Sequence, residues 1–315
     1  MKIISIINWK GGVGKTTLTH HIAACLQESA LLNNVKERTG GSSYPSVLLI
    51  DLDPQCNLSI SALGEDDFET KAYTDNIKTV KDLFESSLNG KLDSEDIGEY
   101  ILEESVRSND GHCYTKIDLI PSHPDLIYTD MNIATYSKPD FKSNLLSSSI
   151  YKFQIVDEII KKLDKEYDFV LIDCPPNLNY ITQNALYRSD YYLIPTILDK
   201  LSSYGILSIT NKVDELNRIF SSAAKGYTPT KLIGIVANNV REWGGAPKQS
   251  QTNILSRLTS LFGGTVFSNY LTHGDGIPQA SELAYPVFAL ESKNANAAKQ
   301  SQAIREITKE FLTRL

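Results

Sequence analysis

Cysteine is scarce in this chain and widely spaced. The 315 residues contain four cysteines, Cys25, Cys56, Cys113 and Cys174, and no two of them form a C-x-x-C pair. This pattern argues against a disulfide-stabilised scaffold, a zinc ribbon and an Fe–S cluster held by a cysteine pair. The sequence therefore predicts a protein of the reducing cytoplasm.

Long apolar runs and a leader segment are also missing. No run reaches the roughly 18 apolar residues of a membrane-spanning helix, so we expect no integral membrane segment. The N-terminus enters an apolar strand pattern directly, which predicts neither a signal peptide nor a preceding helix-turn-helix domain. Site-specific operator binding is therefore not expected. An apolar fraction of 41% nonetheless suffices for a full core.

Positive charge is sparse in the first two thirds of the chain. Residues 1–199 contain 18 Lys and Arg against 30 Asp and Glu, a net charge of −12, whereas residues 200–315 contain 13 against 8, a net charge of +5. The most acidic stretch is residues 60–110, with a net charge of −9. A basic C-terminal third suits contact with a polyanion such as DNA, and ordinary surface charge explains the same distribution equally well.

Apolar runs alternate with helical patterns, as in a parallel sheet with crossover helices. The sequence predicts an α/β fold whose mostly parallel sheet carries helices on both faces, in a three-layer α/β/α arrangement. The predicted strands are Ile3–Ile7, Val47–Ile50, Ile117–Ile120, Phe169–Ile172, Tyr192–Pro195, Leu232–Ala237 and Thr265–Phe267. The predicted helices are Lys15–Leu31, Val80–Ser87, Asp96–Glu104, Ser149–Lys165, Asn179–Arg188, Leu201–Phe220, Ser250–Phe262 and Asn296–Leu315.

Two stretches do not follow this alternation. Asn33–Pro45 is polar and rich in glycine and serine, which favours a flexible loop. Residues 64–150 are long, acidic and serine-rich, and we expect them to decorate the sheet edge. Residues 1–315 are therefore predicted to form a single domain that carries this acidic segment.

The run K-G-G-V-G-K-T-T, residues 10–17, follows the first predicted strand and opens the first predicted helix. Its glycines allow a tight turn that brings backbone N–H groups to an anion, and the helix N-terminus adds its positive dipole. Lys15 suits the β- and γ-phosphates of a nucleoside triphosphate, and the Thr16 hydroxyl suits Mg²⁺. The predicted phosphate-binding residues are Gly11, Gly12, Val13, Gly14, Lys15, Thr16 and Thr17.

The strict phosphate-loop pattern fails because Trp9 stands where its first glycine belongs. The run instead resembles the deviant Walker A loop of the ParA/MinD family of ATPases, and specifically its ParA-type members. The resemblance implies a P-loop ATPase that uses ATP and Mg²⁺ and forms a nucleotide-dependent homodimer. In such a dimer Lys10, together with Lys15, would act on phosphate, with Lys10 reaching the partner's nucleotide. The alternative interpretation of Lys10 is a solvated loop lysine.

Two strand ends carry further motifs of this family. The segment from Asp51 to Asn57, D-L-D-P-Q-C-N, resembles the family's switch I, which implies that Asp53 activates the attacking water and that Asp51 lies near Mg²⁺. The segment that begins D-C-P-P at Asp173 resembles a Walker B carboxylate followed by switch II, which implies a Mg²⁺ role for Asp173. The alternative for the first motif is a polar turn at a strand end.

Later segments extend the resemblance over nearly the whole chain. Pro195 and Asp199 fall in a stretch similar to the family's P-x-x-x-E pattern, with aspartate in place of glutamate. Asn238 ends a strand at which the family places an adenine-contacting asparagine. Pro278 lies in a segment that resembles the loop closing over the base.

The family implies a molecular switch rather than one task. The first hypothesis is a ParA-type ATPase that binds DNA non-specifically as the ATP dimer and positions a plasmid, chromosome or similar cargo. It would associate with the nucleoid when ATP-bound and hydrolyse ATP slowly without a ParB-like activator. The candidate DNA contacts in the basic third are Lys212, Arg218, Lys225, Arg241, Lys248 and Arg257.

Two alternatives stay open at this point. A MinD-like membrane-associated positioning ATPase would lay its last helix in a membrane interface, with Ile304, Ile307, Phe311 and Leu315 on the apolar side. Packing of that helix on the sheet is the simpler interpretation. A metabolic enzyme on the same scaffold would instead turn over ATP without DNA or a protein partner.

Overall fold

The computed structural model describes residues 1–40, 44–109, 111–136 and 147–315. The strands are β1 (Lys2–Ile6), β2 (Val47–Asp51), β3 (Arg107–Asn109), β4 (His112–Cys113), β5 (Ile117–Ile120), β6 (Phe169–Asp173), β7 (Tyr191–Ile197), β8 (Lys231–Asn238), β9 (Glu242–Trp243) and β10 (Ala246–Pro247). The α-helices are α1 (Lys15–Leu26), α2 (Leu32–Thr39), α3 (Asn57–Leu63), α4 (Glu65–Glu69), α5 (Val80–Leu88), α6 (Thr129–Thr135), α7 (Ile155–Lys161), α8 (Tyr180–Arg188), α9 (Ser202–Ala223), α10 (Gln249–Phe262), α11 (Gly276–Glu282) and α12 (Ala295–Arg314).

Six parallel strands form the central sheet in the order β5-β2-β6-β1-β7-β8. Strands β2 and β6 are buried along their whole length, because helices cover both faces, and this is why they are continuous apolar runs in the sequence. Their register places Asp51 beside Asp173 at the carboxyl ends, where parallel sheets bind ligands. The predicted α/β fold with a mostly parallel sheet is confirmed.

Two hydrophobic clusters cover the two faces of the sheet. On one face Ile4 and Ile6 of β1 pack with α1 and α12, and on the other Ile3 of β1 packs with residues of α7, α8 and α9. Ile304, Ile307 and Phe311 of α12 are fully buried in the first cluster. The apolar side of α12 therefore belongs to the core. No helix in the described part of the chain is both long and apolar enough to span a bilayer.

The predicted loop at Asn33–Pro45 was wrong over its first part. Helix α2 occupies Leu32–Thr39, although most of its residues are polar. Leu31 and Val35 lie four residues apart and are both fully buried against the α1–α12 face, so tertiary packing fixes a helix that local composition disfavours. Residues 41–43 lie outside the described residues.

Two other predicted elements were also wrong. The segment predicted as a helix at Asp96–Glu104 forms a single 3₁₀ turn at Ile97–Tyr100, after which Leu102 pairs antiparallel with Leu119 of β5. The strand predicted at Thr265–Phe267 is reduced to one bridge between Val266 and Ile235, because a 3₁₀ turn takes up Gly263–Thr265.

The remaining predicted elements are present, and two helices show the largest shifts of their ends. Helix α1 ends at Leu26 and is followed by a separate 3₁₀ turn, and α7 is preceded by a 3₁₀ turn at Ser147–Phe153. Within residues 64–150 the chain forms small elements and also supplies β5, the edge strand of the sheet itself.

Candidate functional site

The loop between β1 and α1 lies at the carboxyl edge of the sheet. Its backbone takes φ values of 70° at Gly12 and 94° at Gly14, a left-handed region that favours glycine. A Cβ on Gly14 would lie 1.7 Å from the Nδ2 atom of Asn238, so this glycine also makes room for that side chain. The Oδ1 atom of Asn8 accepts a hydrogen bond from the Lys10 N–H at 3.0 Å. The loop is thus held at both ends by asparagine side chains.

A buried lysine and a threonine follow the loop at the start of α1. The side chain of Lys15 is only 6% exposed, and its Nζ atom lies 3.4 Å from the carbonyl oxygen of Lys10. Burial lowers the pKa of Lys15, while the nearby Asp173 and Asp53 raise it. The hydroxyl of Thr16 donates to Oδ2 of Asp173 at 2.6 Å. The Lys15 ammonium therefore lies near Asp53 and Asp173, and the Thr16 hydroxyl bonds Asp173.

Asp51 and Asp173 are both fully buried, but their oxygens are used differently. Burial raises the pKa of Asp51 to about 7, and its oxygens accept from the Ser59 N–H, the Ser59 hydroxyl and the Asp53 N–H at 2.9, 2.7 and 3.1 Å. Burial and the neighbouring Asp51 raise the pKa of Asp173 well above its usual range, and its Oδ1 atom has no hydrogen-bond partner among the described residues. Asp173 is therefore the carboxylate with an oxygen left for a cation.

Asp53 lies in the turn after β2 and lines a cavity that the phosphate loop also lines. Its Oδ1 atom accepts from the Gln55 N–H at 3.0 Å, and its carbonyl accepts from the Ser122 hydroxyl at 2.9 Å. Burial raises the pKa of Asp53. Ser59 and Ser122 were not singled out in the sequence. Ser59 lies just beyond the D-L-D-P-Q-C-N motif, whereas Ser122 carries no local signal.

The loop, Lys15, Thr16 and Asp53 border a cavity of about 650 Å³, a size typical of ligand sites. Of the residues predicted to bind nucleotide or catalyse, the cavity is lined by Gly11, Gly12, Gly14, Lys15, Thr16, Thr17, Asp53, Asn238 and Pro278. Val13 buries its side chain, and its carbonyl accepts a hydrogen bond from Asn238 at 2.8 Å. Asp51 and Asp173 are fully buried and do not line the cavity.

Lys10 does not line the cavity, and its side chain reaches the segment that follows β7. Its side chain is 50% exposed, and its ammonium forms an ion pair with Asp199 of the same chain. Asp199 is itself fixed, because it accepts from the Ser202 hydroxyl at 2.9 Å and from the Leu201 N–H at 3.1 Å. The ion pair lowers the pKa of Asp199 against the opposing effect of its partial burial. The sequence pattern places Asp199 in a family motif without assigning it a partner.

A glutamine of α12 that the sequence analysis missed fixes the far wall of the cavity. Gln300 is buried, accepts from the Ile277 N–H at 2.9 Å and donates to the carbonyls of Thr272 and Gly274 at 3.0 and 3.4 Å. We call residues 271–278, which these bonds hold, the α12-bound loop. A signal was present, since Gln300 falls on the apolar side of α12, four residues before Ile304.

The six candidate DNA contacts are all exposed and lie on or beside two packed helices, α9 and α10. Lys212 pairs with Glu215 at 2.8 Å. The other five, which form no ion pair with any described residue, are Arg218, Lys225, Arg241, Lys248 and Arg257. The structure therefore gathers most of the unpaired positive charge of the C-terminal third around α9 and α10.

Comparison with known proteins assigns the family. Residues 1–224 match the family described as an AAA domain, which is most of the chain. This chain is a ParA-type member of the ParA/MinD family. It is 29% identical over 213 residues to the chromosome partitioning protein ParA of Myxococcus xanthus, a match that covers 68% of this chain and 58% of that protein. An uncharacterised protein of Methanocaldococcus jannaschii is 25% identical over 296 residues, 93% of each chain.

Solved structures share the fold of this ParA-type chain. An ATP complex of an aspartate-to-alanine variant of McdA from Cyanothece superposes with a TM-score of 0.70 at 18% identity, covering 97% of this chain and 95% of that one. A putative plasmid partition protein of Borrelia burgdorferi bound to AMPPNP gives 0.64 at 19% identity, covering 100% and 99%. A cobyrinic acid a,c-diamide synthase of Mycobacterium smegmatis with an ATP analogue and magnesium gives 0.61 at 21% identity, covering 92% and 93%.

Loss of the Gln300 amide should weaken nucleotide binding. In Gln300→Leu, two carbonyls and one N–H of the α12-bound loop lose a buried partner, at about 1–3 kcal/mol for each group left unsatisfied. We expect the dissociation constant for ATP, measured by calorimetry, to rise about tenfold or more.

The matched control for this prediction is Gln302→Leu on the same helix. Gln302 is exposed and bonds only Glu306, so ATP affinity should stay unchanged. Equal ATP affinity of Gln300→Leu and wild type would show that the α12-bound loop does not contribute to nucleotide binding.

Proposed function

We propose that this ParA-type protein is an ATP-dependent dimerising switch that hydrolyses ATP and binds DNA non-specifically as the ATP dimer. Its task would be the partitioning or positioning of a plasmid, chromosome or similar cargo. The observation that carries the proposal is the contrast between the two loop lysines. Lys15 is buried near Asp53 and Asp173, whereas Lys10 is half exposed, does not line the cavity and pairs with Asp199.

In this proposal the loop holds the triphosphate. The backbone N–H groups of residues 11–17 and the ammonium of Lys15 bind the phosphates at the N-terminus of α1. When bound, Mg²⁺ would neutralise phosphate charge, and the donors suited to hold it are the Thr16 hydroxyl and the unpartnered oxygen of Asp173. Asp51, whose oxygens bond Ser59 and Asp53, would act by positioning the turn after β2.

Hydrolysis would depend on Asp53. Phosphoryl transfer requires mainly positioning and charge stabilisation, and a carboxylate beside the γ-phosphate orients the attacking water. Asp53 lines the cavity, where the Gln55 N–H and the Ser122 hydroxyl hold it, and burial raises its pKa. ATP hydrolysis at such a site is expected to be slow until an activator, here a ParB-like protein, completes the site.

Dimerisation is supported by apolar side chains around Lys10. Trp9 precedes it in the loop, and Leu201 and Tyr204 follow its partner Asp199 at the start of α9. Leu201 and Tyr204 are about three quarters exposed, at 74% and 75%. Large exposed apolar side chains next to the Lys10 ammonium, which does not line the cavity of its own chain, suit contact with a second copy of the chain. ATP would then favour the dimer because it binds that state better.

DNA binding is supported by the unpaired cations around α9 and α10. Lysine and arginine contacts to phosphates release counterions, so the affinity falls steeply with salt and carries little sequence preference. Two proteins similar to this chain are named as partitioning proteins, which favours the same assignment. The similarity itself establishes only the family and the fold of this chain.

The test measures how much of a labelled DNA duplex the protein retains with ATP, with ADP and without nucleotide. We expect retention with ATP and loss of it with added salt. In Arg218→Ala/Arg257→Ala the affinity should fall at least severalfold, and the logarithmic salt slope should become shallower by about 0.9 for each phosphate that the protein no longer neutralises.

The control variant is Lys91→Ala, an exposed lysine in the acidic segment, which should bind DNA like wild type. Absence of DNA binding under every nucleotide condition would overturn the DNA part of the proposal. Full ATP turnover without DNA or partner protein would instead favour the metabolic alternative. The MinD-type alternative would require α12 to leave the core.

A further inference from the structure

A two-residue turn makes β9 and β10 into a short, well-defined ribbon. Trp243 pairs with Ala246 in antiparallel register, and the turn residues Gly244 and Gly245 have φ values of 61° and 81°. Positive φ at both central positions matches the turn type that suits the twist of a hairpin. The Lys248 N–H donates to the carbonyl of residue 241 at 2.9 Å, which extends the pairing by one residue on each side.

One face of the ribbon is fastened to the protein. Glu242 forms an ion pair with Lys299 of α12 and accepts from the Tyr270 hydroxyl at 2.9 Å. Side chains alternate between the two faces of a strand, so Arg241 and Trp243 point to the side opposite Glu242. Lys248, which pairs with Arg241, shares that outer side.

The outer face consists of one aromatic and two cationic side chains, and all three are exposed. Trp243 is 84% exposed, the highest value among the large apolar residues of the described chain. Arg241 and Lys248 form no ion pair with any described residue. An exposed indole beside two unpaired cations on one face of a hairpin has the composition of a nucleic-acid contact, in which aromatic faces meet bases or sugars and cations meet phosphates.

We propose that the outer face of this ribbon, formed by Arg241, Trp243 and Lys248, enters a groove of duplex DNA. A two-stranded ribbon fits the major groove, whose width is about 12 Å. In this arrangement Arg241 and Lys248 neutralise phosphates, and the indole of Trp243 packs against base and sugar edges. The inference rests on the proposed DNA-binding function and assigns to it one contact element.

The ribbon is also joined to the nucleotide cavity. Val240, which precedes it, bonds Leu271 and His273 of the α12-bound loop at 3.0 and 2.8 Å. Lys299, which holds Glu242, is the neighbour of Gln300, which holds the same loop. The outer face is therefore positioned by the residues that shape the cavity wall, so nucleotide binding and DNA contact share one support.

The test combines affinity with tryptophan fluorescence, since the chain has only two tryptophans, Trp9 and Trp243. With ATP and a short duplex, we expect Trp243→Ala to lower the DNA affinity about tenfold, because the indole's contact with base and sugar edges is lost. Trp243→Phe should retain most of the affinity. At saturating duplex, wild-type emission should change on DNA binding, and that change should be absent in Trp243→Phe.

The control is Tyr73→Ala, which removes a 60% exposed aromatic from the acidic segment and should leave DNA affinity unchanged. Unaltered ATP affinity of Trp243→Ala would show that the cavity is intact. A wild type that binds no DNA would overturn the proposed function itself. A wild type that binds DNA while Trp243→Ala binds equally well would overturn only the ribbon contact. So would an emission change seen with single strands but not with duplex.

Discussion

We expect Asp53→Asn to slow ATP hydrolysis by at least about a hundredfold, because an amide cannot accept a proton from the attacking water. The substitution keeps the size of the side chain and an oxygen for the Gln55 N–H. ATP affinity should be unchanged or higher, since the change removes a negative charge from the phosphate region. Steady-state phosphate release and equilibrium binding of ATP measure the two effects separately.

The matched control for this substitution is Asp75→Asn. Asp75 is an exposed carboxylate in the acidic segment, and its loss should leave the hydrolysis rate at the wild-type value. A near-normal rate in Asp53→Asn would remove Asp53 from the reaction and leave Asp173 and the loop as the only chemical groups assigned. A loss of ATP affinity in Asp53→Asn would instead point to a binding role.

We expect Lys10→Ala to abolish the ATP-dependent dimer while leaving ATP binding to the monomer within a few-fold of wild type. Lys15, not Lys10, lies near Asp53 and Asp173, and among the described residues the Lys10 ammonium pairs only with Asp199. An exposed ion pair of this kind contributes at most about 1 kcal/mol, so its release costs little when a triphosphate becomes available in the partner. Sedimentation of the Asp53→Asn background with ATP measures the dimer without interference from hydrolysis.

Two further variants separate charge from position at this site. Lys200→Ala removes an exposed lysine next to Asp199 and should dimerise normally. Asp199→Asn releases Lys10 without removing it and should also dimerise. Normal ATP-dependent dimerisation of Lys10→Ala would contradict the role in the partner's site that we propose for this residue.

Elements with a local sequence signal were predictable from the sequence. The buried strands β2 and β6 are continuous apolar runs, and the loop before α1 is a contiguous chemical pattern, so both were placed correctly. Helix α2 was missed because its composition is polar, although Val35 within it and Leu31 just before it are core residues. The strand expected at Thr265–Phe267 failed because a preceding 3₁₀ turn decides how far the chain pairs with β8.

The residues of the site likewise divide into those with a local sequence signal and those without one. Its phosphate loop and strand-end carboxylates were found because they follow strands in recognisable order. Gln300 and Ser122 were missed because each contacts its partner from a distant part of the chain, 23 residues from Ile277 in one case and 69 from Asp53 in the other. Asn238 was assigned to adenine from the resemblance, and the structure adds that its amide holds the Val13 carbonyl.

The place of α12 in the fold has a consequence for how the protein is made. The phosphate loop and α1 leave the ribosome early, and N-terminal parts of a chain generally fold first. The Gln300 bonds to the loop at residues 271–278, and the cover that Ile304 and Phe311 give α1, come from a helix near the end of the sequence. A nascent chain that ends before residue 295 therefore contains the loop at residues 271–278 without the Gln300 bonds that help to hold it. Translation of α12 supplies these bonds and completes the packing around α1.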